Sequence, residues 1–250
     1  MPRFFLELAY KGTQYSGFQK QDNANTIQAE VEKAFQTLHR QPVSLVGSSR
    51  TDAGVHALQN YFHFDYHELH AQFLYKMNAI LPDDIALKKI HEMPIDAHSR
   101  FHALSRKYEY RIYRTKNPFL PGQALYYPFK LNIGLMKEAA GFVKNMTSFF
   151  AFCKTNTQAK NFNCTIYNSE WIETENTFVY TIEGNRFLRG MVRLLTASML
   201  QVGRKKISMD EFVGLFNSND KCGFSIPPDG LFLTGVKFPN HFLNSALAFI

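Results

Sequence analysis

Between Gly47 and Ala57 the chain reads GSSRTDAGVHA, which places an arginine, an aspartate, two glycines and a histidine within eleven residues. Ser48, Ser49 and Thr51 are small and polar, and Gly54 tolerates backbone angles closed to other residues, so this stretch can turn tightly and project Asp52. A carboxylate presented in this way can act as a covalent nucleophile. It must be ionised to attack, and burial raises a carboxyl pKa, so the chemistry calls for a nearby cation. An aspartate two residues before a glycine is also the composition of an ordinary turn, and the string alone does not separate the two readings.

Three other places carry chemistry-bearing side chains. Arg193 interrupts the apolar run GMVRLLTASMLQVG, so its charge either snorkels to water along a packed stem or points at a specific partner. In RKYEYRIYRT, Tyr108, Tyr110 and Ile112 share one face of a strand, and Lys107, Glu109 and Arg111 share the other. The segment AHSRFHALSRK, from Ala97 to Lys107, sets His98, Arg100, Arg106 and Lys107 around Phe101, the mixture of cations and aromatics that suits RNA. HFDYHELH crowds His63, His67 and His70 with Asp65 and Glu68, but the spacing matches neither HExxH nor a zinc pattern, so no metal is expected.

The elements that must hold these groups follow from periodicity. QPVSLVG and ALQNYFHFDY alternate on either side of the Asp52 loop, which reads as two half-buried strands. Before them come the strand RFFLELAY and a helix with Ile27, Val31, Ala34, Phe35 and Leu38 on one face, capped at Asn25 and ending near Arg40. After them come a helix through Phe73, Met77, Ile80 and Leu81, stopped by Pro82, and the strand DDIALKKIHEM. Strand, helix, strand, strand, helix, strand is a ferredoxin-like order. From about residue 100 a second α/β unit repeats the theme more loosely. It has the strand RKYEYRIYRT, a helix through Leu135, Ala139, Phe142, Val143 and Met146, a strand pair turning at Glu175 and Asn176, a helix from about Arg189 to Val202, and the closing strand LFLTGVKF. FLPGQALYYP reads as a loop. The expected class is α+β, with a half spanning 1–98 that carries the Asp loop and a half spanning 99–250 that carries the tyrosine strand and the arginine helix. The two are expected to share a mostly antiparallel sheet with a cleft at their junction.

Bulk properties agree with a nucleic-acid partner without requiring one. A chain of 250 residues with formal charge +7 and 15% aromatic residues suits a polyanion whose bases can be stacked upon. Cys153, Cys164 and Cys222 are odd in number and far apart, which argues against a disulfide framework and fits a reducing cytoplasm. No stretch approaches the ~18 apolar residues of a membrane span, and nothing reads as an export signal.

The string RTDAGVHA resembles the signature of the TruA family of tRNA pseudouridine synthases. The resemblance extends through ELAYKGTQYSGFQKQ, SRFHALSRKYEYRIY, GNRFLRGMVRLLTASMLQVG and PPDGLFLTGVKF, five islands in the family's order. It implies the pseudouridine synthase fold of two ferredoxin-like or RRM-like halves. The implied activity is isomerisation of uridine to pseudouridine at tRNA positions 38, 39 and 40, without a cofactor, by a cytoplasmic homodimer.

Through the resemblance, Asp52 is the catalytic residue and Arg193 its ion-pair partner. Tyr108 stacks on the target base and takes part in proton transfer, while Arg50 assists flipping of the base out of its stack. The same source makes His98, Ser99, Arg100, Phe101 and Lys107 tRNA contacts, with Lys154 and Gln158 as further ones. The sequence departs from the family pattern at Ser48, Ser49 and Ala97, and SFFAFCK lacks the usual acidic residue. An RNA-binding protein that kept the fold without the chemistry is the alternative, and a metallohydrolase using the histidine cluster is a third reading.

Overall fold

In β1 (Arg3–Tyr10) five successive residues, Phe4 to Leu8, are buried, so both faces of the strand are covered. The computed structural model describes residues 1–155, 160–240 and 242–243. The chain divides into two units, Met1–Leu104 with Leu233–Ile250, and Ser105–Phe232.

In the first unit β1 is followed by α1 (Ile27–His39), β2 (Val46–Gly47), β3 (His56–Asp65), α2 (Phe73–Ile80) and β4 (Ile85–Met93). β1 runs antiparallel to both β3 and β4, with Phe5 opposite His63 on one side and His91 on the other. The strand-helix-strand-strand-helix-strand order read from periodicity is therefore present. Phe18 stacks on Phe62 with ring centroids 4.6 Å apart, and Phe35 meets Phe64 edge-on at 5.5 Å. Burying rings of this size is the main favourable term for a unit of about a hundred residues.

The second unit contains β5 (Ser105–Tyr113), β6 (Leu125–Tyr126), α3 (Ile133–Lys144), β7 (Ile166–Glu173), β8 (Thr177–Gly184), α4 (Met191–Gly203) and α5 (Met209–Phe216). β8 pairs antiparallel with both β5 and β7, so that Tyr180 sits opposite Tyr110 and Trp171. Of the thirteen residues of α4, only Arg193 and Gln201 are not buried, which makes α4 the central helix of this unit. β9 (Leu231–Lys237) begins in the second unit and ends in the first, where it neighbours β3. Among the described residues no helix is long and apolar enough to cross a membrane. The three cysteines are free and buried, and burial pushes the Cys164 thiol up to about 11.

Four local expectations need correction. The strand read into QPVSLVG shrinks to Val46–Gly47, because Gln28 and Glu32 of α1 take the backbone groups of Leu45 (Gln28 Nε2 donates to its carbonyl at 2.9 Å), leaving them unavailable to a sheet. The cap of α1 is Thr26, whose hydroxyl accepts Ala29 N–H at 3.3 Å; the carbonyl of Asn25 instead accepts Ser16 N–H. β3 is buried on both faces from Asn60 to Phe64, with Leu58 exposed, so it is not half-buried. The FLPGQALYYP segment contains β6, a short strand that runs parallel to β5, whereas β1–β3, β1–β4, β2–β3, β5–β8 and β7–β8 pair antiparallel.

Candidate active site

Asp52 lies in the link between β2 and β3, where no ladder holds the backbone, so loop contacts must do so. Val55 N–H donates to the Asp52 carbonyl at 3.1 Å and closes a turn, with Gly54 at φ 79°, in the left-handed region that glycine adopts without a Cβ penalty. The segment after β1 grips this turn from outside: Phe18 N–H donates to the Thr51 carbonyl at 3.1 Å and Gly54 N–H to the Tyr15 carbonyl at 3.2 Å. Gly12 sits so close to the turn that a Cβ there would stand 2.0 Å from the Val55 carbonyl oxygen, and its N–H donates to His56 Nδ1. The stretch ELAYKGTQYSGF is thus the outer wall of the Asp52 loop.

The inner support is a buried polar chain. Asn60, fully buried on β3, donates through Nδ2 to the Ser49 carbonyl at 2.9 Å and to Tyr10 Oη at 3.2 Å. Tyr10 Oη in turn lies 2.8 Å from Thr51 Oγ1. These bonds fix the backbone on the N-terminal side of Asp52, whose side chain is half-buried while Arg50 beside it is exposed. Buried amide and hydroxyl groups are costly when unpaired, so this chain holds the loop in one arrangement. Residue type and spacing alone suggest no role for Tyr10, Asn60 or the Tyr15–Phe18 segment. A signal was present all the same, since Asn60 is an amide in line with Phe62 and Phe64.

The first unit also gathers four of the sequence-predicted RNA contacts. Arg50, His98, Arg100 and Phe101 line a cavity of about 260 Å³ together with Phe18 and Gln19. The rings of His98 and Phe101 are 4.2 Å apart, and the Arg100 guanidinium stands 5.9 Å from the Phe101 centroid. Ser99 points the other way: it is fully buried, and its hydroxyl donates to the Val46 carbonyl and lies 2.9 Å from His63 Nδ1. Ser99 N–H also faces that nitrogen, at 3.3 Å, which makes Nδ1 an acceptor and His63 a neutral ring. Burial, reinforced by His98 and Arg3, pushes His63 down to about 4. Ala97 is buried, and its carbonyl accepts Arg3 Nη1 at 2.9 Å; the same guanidinium grips both oxygens of Asp65 and, chiefly through that hydrogen bond, holds its carboxyl below the usual range. The histidine-rich stretch is therefore spread over separate contacts, His63 on Ser99, Asp65 on Arg3 and His70 on Lys76. Ser48 and Ser49 are buried, and their hydroxyls have no hydrogen-bond partner.

In the second unit Tyr108 is 8% exposed and meets Phe187 edge-on at 5.1 Å, while Tyr110 is fully buried with its hydroxyl donating to the Pro227 carbonyl at 2.8 Å. Burial holds the Tyr110 phenol above its ordinary range. Arg193, in the first turn of α4, donates through Nε and Nη2 to the Ile226 carbonyl at 2.8 and 2.6 Å, so its head is anchored and not simply afloat in water. Lys154 is half-buried and packs its stem against Gly190, which has φ 74°. Lys107 lies on β5 opposite Glu183. Gln158 falls outside the described residues.

The chain resembles known proteins over nearly its whole length. The tRNA pseudouridine synthase family profile matches residues 8–102 and 147–239. Among curated proteins, "tRNA pseudouridine synthase A" of Parabacteroides distasonis is 38% identical over 244 residues, covering 96% of this chain and 97% of its own. The proteins of the same name from Porphyromonas gingivalis and Staphylococcus aureus are 39% and 36% identical, over 96% and 94% of this chain and 98% and 90% of theirs. A solved structure, "Crystal Structure of a Cbf5-Nop10-Gar1 Complex", aligns with 78% of this chain and 54% of its own at 10% identity, with a TM-score of 0.31. On the profile match and on relatives of this identity over nearly the whole length, the chain belongs to the tRNA pseudouridine synthase family.

Proposed function

We propose that this chain isomerises uridine to pseudouridine in the anticodon stem-loop of tRNA, at positions 38, 39 and 40, with Asp52 as the nucleophile. The observation that supports this best is the seat of Asp52: a carboxylate on a tight turn whose flanking backbone is clamped by Phe18, Tyr10 and Asn60. Such clamping pre-orients a nucleophile, so less freedom is lost on reaching the transition state. Substrate and reaction class come from the relatives' shared name.

The reaction balances without redox change or net hydrolysis, so no cofactor and no metal is assigned. The N1–C1′ bond breaks with its electron pair on the base, the base turns, C5 bonds to C1′, and the proton on C5 leaves as N1 gains one. Asp52 holds one reacting partner covalently while the base turns, attacking either C6 of the base or C1′ of the ribose. Arg193 is the cation assigned to keep that carboxylate charged, and Tyr108 is assigned to stack on the base. A phenol of ordinary pKa ~10 moves a proton at neutral pH only when positioned and assisted, so that second role of Tyr108 depends on its seat.

Arg50, Arg100 and Phe101, with His98 and Lys107, are assigned to the RNA, Arg50 bracing the gap that the flipped uridine leaves. Ser99 serves them indirectly by anchoring their segment to β3. Lys154 is assigned a phosphate contact. A homodimer and a cytoplasmic location belong to the same proposal, and sedimentation of the free protein tests the first.

The test is to incubate the protein with unmodified tRNAs bearing uridine singly at 38, 39 or 40 and to map the product by carbodiimide-blocked reverse transcription. Stops at each of the three positions support the reading. Stops elsewhere remove the position assignment, and none on any folded tRNA removes the activity.

A further inference from the structure

Two stretches of the second unit, residues 114–132 and 203–206, carry three cations each and no carboxylate. Neither contains any residue assigned above. The fold joins them: Asn132 N–H donates to the Gly203 carbonyl at 2.8 Å, and the Arg204 guanidinium lies over the Phe129 ring, 4.1 Å from its centroid. None of the ion pairs among the described residues involves any of these six cations.

The face is built rather than loose. The turn after α4 is closed by Arg204, Lys205 and Lys206, whose N–H groups donate to the Leu200, Val202 and Gln201 carbonyls, and Lys205 sits at φ 57°, a left-handed angle that a lysine adopts only at a cost. On the other stretch, Tyr127 N–H donates to the Tyr113 carbonyl at 2.9 Å and continues the β5–β6 pairing. Aromatic rings stand out from this frame: Tyr126 is 43% exposed, Phe129 47%, and Phe119, on the loop leading into β6, 82%.

Uncompensated cations attract a polyanion, and open rings beside them offer stacking to flat groups. An acidic peptide would satisfy the first feature and leave the rings idle, whereas an RNA strand satisfies both. We infer that this face, formed by the 114–132 stretch and the turn after α4, is a second RNA-contact surface, and, resting on the function proposed above, that its partner is the tRNA substrate. Arg204 follows Arg193 by eleven residues along α4, about 16 Å at 1.5 Å per residue, so the face touches a part of the RNA other than the reacting nucleotide.

The experiment compares wild type, the double variant Arg204→Gln/Lys206→Gln, and Phe129→Ala, by fluorescence anisotropy with labelled tRNA across a salt series and by reaction rate at saturating tRNA. The double variant should bind about tenfold more weakly at 0.1 M salt. Its plot of log affinity against log salt should flatten by about one for each phosphate that is no longer neutralised. Phe129→Ala should weaken binding about five- to tenfold with the salt slope kept, as expected when one base loses its stacking ring. Both should keep the wild-type maximal rate.

Unchanged tRNA affinity and slope in both variants would overturn the inference. So would a shift in sedimentation with RNA binding intact, which would make the face a contact between copies of the chain. The two claims separate cleanly: wild type that binds tRNA through this face but never converts uridine would keep the surface and remove the proposed activity.

Discussion

The Asp52 loop and helix α4 hold their key residues by opposite means. The loop has no ladder of its own and is fixed by directional bonds from Phe18, Tyr10 and Asn60, each short and each dependent on one donor and one acceptor. Helix α4 is buried along nearly its whole length, and Arg193 is carried by that packing with its head bonded to the Ile226 carbonyl. Packing is non-directional and spread over many atoms, whereas a hydrogen-bonded clamp concentrates its effect in a few groups. The loop should therefore lose function before stability, and the helix stability before function.

The most severe break of this contrast is a cavity in the helix. Leu200 is fully buried two turns beyond Arg193, and Leu200→Ala should cost 2–5 kcal/mol of stability, on the order of what Leu→Ala changes cost in well-packed cores. Measured by urea denaturation, that loss should come with turnover per folded molecule within about threefold of wild type. A turnover collapse in molecules that remain folded would show that helix packing tunes the chemistry directly.

A second break uses acid. All nine histidines of the chain lie outside Ser105–Phe232, and His63 is held neutral at about 4, well below its ordinary 6.5. With the folded pKa depressed, the unfolded chain takes up the proton first. The stabilisation is thus complete above pH 6.5 and is lost as pH falls towards 4, about 3 kcal/mol in all at 1.36 kcal/mol per unit. His39 and His98, both lowered chiefly by burial, act in the same direction. Hydrogen exchange at pH 7 and pH 5 should show β3 and the 97–102 segment loosening while α4 stays protected. His63→Gln, which retains an acceptor for Ser99 but does not titrate, should flatten that dependence. Equal loosening of both units would refute the contrast.

The smallest break is the removal of one oxygen. Tyr10→Phe deletes the hydroxyl between Thr51 and Asn60 while Asn60 keeps its bond to Ser49. It should cost about 1 kcal/mol of stability, yet reduce turnover by about tenfold because the loop loses its register. A turnover loss no greater than that of Leu200→Ala would mean the clamp does not position Asp52.

The same division explains what was legible in the sequence. Elements that announce themselves by local periodicity, such as α1, β5 and the β7–β8 pair, could be read residue by residue. Helix α5 is not legible from periodicity although Ser208 and Glu211 form a full capping box, because its eight residues make little more than two turns, too few to separate a helix from a short apolar strand. The strand expected at QPVSLVG failed because side chains of α1, distant in sequence, claim the Leu45 backbone. At the site, Asp52, Arg50 and the basic-aromatic segment stand out by residue type. Asn60 stands out as an amide in line with Phe62 and Phe64, but its role, like that of Tyr10, emerges only once β1 and β3 are paired, since both act by holding other residues. Ser48 and Ser49, the departures beside Arg50, are buried hydroxyls for which the structure offers no account.

The central claim is that Asp52 is the nucleophile of a uridine isomerase, and the most direct measurement is single-turnover release of tritium from tRNA carrying [5-³H]uridine. Wild type should expel the label, because C5 loses its hydrogen when it rejoins the ribose. Asp52→Asn, with wild-type melting temperature and tRNA affinity, should be slower by at least ~10³-fold, about 4 kcal/mol in the barrier. Equal release from the variant would contradict the account, leaving the isomerase without the residue on which its loop is built.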